Sequence, residues 1–126
     1  MDVFKNFNVT IYRGELKNGI KIKLFYHPGA PITTTAVLNS GSKYDPENMQ
    51  GIAHFLEHMI VNGSLELPSK DLLAEHIESV GGNFSASTGQ DFISINTEVS
   101  GKEDYSRVRD IINAILCSPL MDKRVF

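Results

Sequence analysis

Two histidines and a glutamate fall within five residues, His54-Phe55-Leu56-Glu57-His58. On a helix advancing about 100° per residue, the three side chains share roughly a third of the circumference, with Glu57 projecting between imidazoles one turn apart. One small ion could touch both rings. Zinc takes neutral imidazole nitrogens, and a catalytic zinc site needs three protein ligands plus a water whose pKa falls to roughly 7. His54 and His58 supply part of that shell. Glu57, aimed at the space beside the ion, suits a general base that takes the proton of the water and later delivers it to a leaving amine. A ligand role would consume that base. The competing reading is a solvated helix face that carries the three residues by chance.

The helix that must present them is legible around the motif. Ile52, Phe55, Leu56, Met59 and Ile60 follow the i, i+3, i+4, i+7, i+8 rule, with Asp45-Pro46 or Asn48 as possible starts and Gly63 as a stop. This apolar stripe lies about 180° from the histidine–glutamate group, so the polar group is expected to face away from the core contact of its own helix. A second helix is expected after Pro68, capped by Ser69, with a stripe of Leu72, Leu73, His76, Ile77 and Val80 closed by Gly81-Gly82. Ser100-Gly101-Lys102-Glu103 has capping-box spacing ahead of a third, carrying Tyr105, Val108, Ile111, Ile112, Ile115 and Leu116 and ended by Pro119.

The strands come in hairpins. Runs near 9–16 and 20–27 flank Lys17-Asn18-Gly19, a strong two-strand signal, and Ile32 to Asn39 reads as a third strand. Asn83 to Thr88 and Phe92 to Val99 flank Gly89-Gln90 as a second hairpin, with Ile93, Ile95, Thr97 and Val99 on one face. The order β-β-β-α-α-β-β-α predicts an α+β fold with a largely antiparallel sheet covered by helices on one face, and residues 1–126 are expected to form a single domain.

With 41% hydrophobic and 21% charged residues, the chain has the composition of a globular domain rather than a disordered or membrane-spanning one. A net charge of −3 with scattered lysines and arginines offers no basic footprint for nucleic acid. The lone cysteine, Cys117, excludes an intramolecular disulfide and is expected to be a buried thiol. Met1 to Thr10 has neither the apolar run of a signal peptide nor the pattern of a transit peptide, which makes the cytoplasm the expected location.

Further residues match a known pattern. Gly41-Ser42-Lys43, Gly51-Ile52-Ala53, Met59 to Gly63, and Gly81-Gly82-Asn83-Phe84-Ser85-Ala86-Ser87-Thr88 accompany the His54 to His58 motif. Over residues 10–118 the sequence resembles the inverted-motif zinc peptidases of the pitrilysin, insulin-degrading enzyme and mitochondrial processing peptidase type, whose signature is H-x-x-E-H on a helix. The resemblance implies a zinc endopeptidase in which His54 and His58 hold the metal and Glu57 is the general base. It also implies that the strand of Phe84, Ser85, Ala86 and Ser87 is an edge along which a peptide or unfolded protein substrate lies extended. Ser85 departs from the family's pattern, in which an asparagine precedes the alanine, although its hydroxyl could still donate a hydrogen bond.

The resemblance further implies a third ligand, a glutamate about 75 residues beyond His58 and so past roughly position 130, whereas the sequence stops at Phe126. A fragment of a longer protein is therefore expected, one that closes against a second related domain or subunit. Glu66, Asp71, Glu75, Glu78, Asp91, Glu98, Glu103, Asp104, Asp110 and Asp122 read as solvated groups, and His27 and His76 as surface or packing residues. Two other roles are compatible with the sequence: a non-catalytic assembly subunit, which the intact motif argues against, and a metal-binding module without efficient turnover.

Overall fold

A computed structural model describes residues 2–6 and 8–122 of the chain. Two compact units result, Met1–Ala30 and Pro31–Phe126. Lys123 to Phe126, which read from sequence as an ending without a closing strand or cap, lie outside the described residues.

The first unit is a three-stranded antiparallel sheet, β1 (Asp2–Asn6), β2 (Val9–Glu15) and β3 (Lys21–Tyr26), in that spatial order. The β2–β3 hairpin forms where Asn18-Gly19 predicts it. Leu16 N–H donates to Ile20 O at 2.8 Å, and Gly19 takes a φ of 86° that a residue with a Cβ rarely adopts. Strand β1 is absent from the sequence reading, because five residues with two apolar side chains carry too little alternation to announce a strand.

The second unit holds the core. Its sheet has the order β4-β6-β5, built from β4 (Ile32–Leu38), β5 (Asn83–Thr88) and β6 (Ile93–Val99), all antiparallel. Alternation sorts the two faces. Ile93, Ile95, Thr97 and Val99 are buried and meet Ile32, Ala36, Leu38, Phe84 and Ala86 on one side, while Thr33–Glu98 and Thr35–Asn96 hydrogen bonds run across the other. Three helices cover the apolar face: α1 (Ile52–Ile60) and α2 (Lys70–Glu78) over β5, α3 (Tyr105–Cys117) over β4 and β6. Leu73, Ile77, Val108, Ile111, Ala114 and Ile115 close the core from the helix side.

The α+β class holds, with one strand more than expected and the strands divided between two sheets. Ser69 caps α2 as expected, its hydroxyl accepting from Leu72 N–H at 3.2 Å. The capping box at Ser100 does not form. A 3-10 turn at Lys102–Asp104 leads into α3 instead, and no side chain caps that helix. Cys117 is exposed rather than buried: it stands two residues beyond Ile115, on the opposite side of the last turn of α3. Leu72 is likewise 41% exposed at the outer edge of the α2 stripe. Among the described residues no helix is long and apolar enough to cross a membrane.

Candidate metal and catalytic centre

The motif is delivered by α1, whose start is fixed by a residue well upstream. The Asp45 carboxylate accepts from Gly51 N–H at 2.7 Å and from Ala53 N–H at 3.1 Å, satisfying two of the orphan donors of the first turn. Gly51 itself sits at φ 91°, the left-handed conformation that turns the chain into the helix. The segment before Asp45 is bolted to the β5–β6 turn: Ser42 N–H donates to Gly89 O and Lys43 N–H to Gln90 O, both at 3.0 Å. Gly41 makes this approach possible, because a Cβ there would stand 2.3 Å from Gln90 O. Lys43 and Asp91 add a solvent-exposed ion pair, and the Asp91 carboxylate raises the Lys43 pKa above its ordinary value.

His54 and His58 stand on the exposed side of α1 with their Nε2 atoms 3.1 Å apart, ring centroids 4.6 Å apart and ring planes at 83°. Two nitrogens bound to one tetrahedral zinc at 2.0–2.1 Å would be separated by roughly 3.3 Å, so the spacing of the donor pair is close to that of two positions of such a shell. Among the described residues no third histidine, cysteine or carboxylate joins them in a metal-binding group. The downstream carboxylates are exposed or half-buried, His27 is exposed, and none supplies that position.

Glu57 departs from the expectation. It is only 7% exposed, although the periodicity of α1 places it on the polar face. The buried residues of the helix are Ala53, Glu57, Met59 and Ile60, so the core-facing side is rotated by roughly 70° from the stripe of large apolar side chains. Ile52, counted in that stripe, is 36% exposed. The small Ala53 permits close packing where the large side chains do not reach, and this carries Glu57 against β5. A buried carboxylate is costly unless it is hydrogen-bonded, and here Thr88 Oγ1 donates to Glu57 Oε2 at 2.5 Å. His54 Nδ1 lies 3.5 Å from the same oxygen. The two histidines and the glutamate are thus brought together, one pair open to solvent and the acid held behind it.

The residues expected along the substrate strand occupy an edge of the sheet. In β5, Phe84 and Ala86 point into the core, while Ser85 and Ser87 are exposed on the other face, where the Ser87 and Ser94 hydroxyls lie 2.8 Å apart. Thr88, the last residue of the strand, escaped the sequence reading as a partner of Glu57. The contact spans 31 positions and leaves no local signature beyond the presence of a hydroxyl in the Phe84 to Thr88 pattern.

His76 has a different setting. Its Nδ1 is 3.0 Å from the Arg107 guanidinium, which carries donors only, and its Nε2 faces Asp110 at 3.5 Å. The cluster ties α2 to α3, and the adjacent cation makes it unsuited to a metal.

Comparison with known proteins shows which family the sequence and fold resemble. Residues 26–126 match the family described as Insulinase (Peptidase family M16). Protease 3 of Escherichia coli (strain K12) is 38% identical over 110 residues, covering 86% of the chain and 11% of that protein. The mitochondrial-processing peptidase subunit beta of Dictyostelium discoideum is 32% identical over 101 residues, or 80% of the chain and 21% of that protein. An uncharacterized zinc protease of Rickettsia bellii is 38% identical over 88 residues, or 69% of the chain and 20% of that protein. The crystal structure of pitrilysin superposes with a TM-score of 0.83 at 34% identity, covering 94% of the chain and 13% of its own. The chain therefore spans a small part of the length of the relatives it matches.

Proposed function

Because the chain belongs to the insulinase family of peptidases, family M16, we propose that it supplies the catalytic helix of a zinc metalloendopeptidase. The observation that carries this reading is the pairing of two histidine Nε2 atoms 3.1 Å apart with a buried glutamate on the same helix. His54 and His58 would hold the metal, with the third ligand contributed from outside the described residues. Zinc held there supplies Lewis acidity, which lets water lose a proton near neutral pH and polarises a peptide carbonyl.

The other steps belong to the chain. Glu57 accepts the proton of the attacking water and returns it to the leaving amine, a role that needs a carboxylate fixed beside the metal ligands yet not spent as one. Its burial supports that reading, because a shielded carboxylate bound on one side keeps a defined orientation. Strand β5 offers substrate a main-chain edge, with Phe84 to Ser87 as the pairing residues. Recognition through the backbone tolerates many side chains, which suits peptides or unfolded segments as substrates. One relative is named as a subunit, and a second related domain or subunit closing over this edge is part of the proposal.

Glu57→Gln in the full-length protein tests it. The amide preserves shape and cannot accept the proton, so cleavage of an unstructured fluorogenic peptide should fall by about 10²–10⁴-fold. Zinc content, measured by atomic absorption, should remain that of the parent. Activity within a few fold of the parent would overturn the assignment of the base.

A further inference from the structure

We infer that Thr88 is a positioning residue for the Glu57 carboxylate: its hydroxyl occupies Oε2 and leaves Oε1 as the oxygen that exchanges protons. The inference rests on the reading of Glu57 as the general base and adds to it the group that orients that base.

Four observations converge. Glu57 is buried, and the Thr88 hydroxyl is the donor of the contact between them. Both polar contacts of Glu57 among the described residues, from Thr88 Oγ1 and His54 Nδ1, fall on the same oxygen, Oε2. Thr88 is a β-branched residue at the end of a paired strand, opposite Ile93, and its side-chain rotation is restricted accordingly. Its backbone is fixed on the far side as well: Gly89 N–H donates to Phe92 O at 2.9 Å, and the Gly89 and Gln90 carbonyls take the bonds from Ser42 and Lys43. The donor is therefore held by strand, turn and the segment leading to α1, while the acceptor is held by α1 itself.

The consequence is a division of labour between two oxygens of one carboxylate. A proton gained by Glu57 goes to the oxygen without a donor, and the hydroxyl prevents the carboxylate from rotating the occupied oxygen into that place. The strand proposed to bind substrate is also the strand that aims the base, so the two are held in one frame.

Thr88→Val removes the donor and keeps the volume, and Thr88→Ser keeps the donor and removes the methyl. In the zinc-loaded full-length protein, with a fluorogenic peptide that the parent cleaves, Thr88→Val should lower kcat by about 10–100-fold, the scale of a hydrogen bond to a charged group. KM and zinc stoichiometry should stay within about twofold of the parent, and Thr88→Ser should recover kcat to within a few fold. If the valine variant does not fold, Thr88→Ala is compared with Thr88→Ser in the same way. Parent-like kcat in the variant lacking the hydroxyl, alongside an inactive Glu57→Gln, would overturn the role of Thr88 and leave the base assignment standing. Equal losses in the serine and valine variants, or a loss that follows zinc content or melting temperature, would also overturn it. An active Glu57→Gln would instead remove the reading on which the inference rests.

Discussion

The same side chain meets opposite electrostatic settings in His58 and His76. His76 has Arg107 against one ring nitrogen and Asp110 3.5 Å from the other, so a cation would meet a guanidinium. His54 and His58 turn Nε2 towards each other on an exposed helix face, where an ion can replace the contact between them. The distinction lies in what each ring nitrogen faces. It gives a prediction at this scale: in the full-length protein, His54→Ala and His58→Ala should each weaken zinc binding by at least about 100-fold in competition with a chelator, because each removes one of the two nitrogens proposed to hold the metal. His27→Ala and His76→Ala should remain within about twofold of the parent. Equal weakening by His76→Ala would show that the metal sits elsewhere.

Among the elements, α1 decides where the chemistry stands, and Asp45 decides where α1 starts. Removing its carboxylate leaves Gly51 N–H and Ala53 N–H without the partner they have now, and also removes a negative charge from the helix N-terminus. Asp45→Ala should therefore cost about 0.5–2 kcal/mol in urea unfolding, with Asp45→Asn recovering part because its amide oxygen still accepts. No loss in the alanine variant would mean that water caps the helix equally well. The sequence exposed this helix by period, the second hairpin by alternation around Gly89-Gln90, and the α2 start by Ser69. It did not expose the true buried face of α1. Periodicity weighs large apolar side chains, whereas the packing admitted Ala53 and a glutamate matched by a distant threonine. Strand β1 was hidden for a related reason: it pairs with β2 through its backbone, and five residues carry almost no pattern. The resemblance placed Phe84 to Ser87 on an edge, and the sheet order β4-β6-β5 puts them there.

For the molecule as a whole, the distribution of buried side chains separates the two units. Leu73, Ile77, Ile93, Ile95, Val99, Val108, Ile111 and Ile115 are at most 1% exposed, and all lie within Pro31–Phe126. Among the described residues the first unit shows no comparable interior: β3 is exposed along its length, and Ile22, Leu24, Phe25 and Tyr26 are each at least 44% exposed. A three-stranded sheet whose described side chains stay this exposed buries little apolar area, so its contribution to cooperative stability is small. The centre built from His54, Glu57, His58 and Thr88 belongs to the second unit, together with the Asp45 cap and the β5 edge that frame it. A chain beginning at Pro31 should therefore fold, with a cooperative thermal transition, dispersed amide resonances and a Tm lowered by less than about 5 °C, equivalent to roughly 1 kcal/mol for a domain of this size. The hydrogen bond between Thr88 and Glu57 should survive in it, because every residue that fixes either partner is retained. Loss of the transition would mean that the first sheet is part of the cooperative core, and the burial pattern would then be a poor guide to what holds α1 in place.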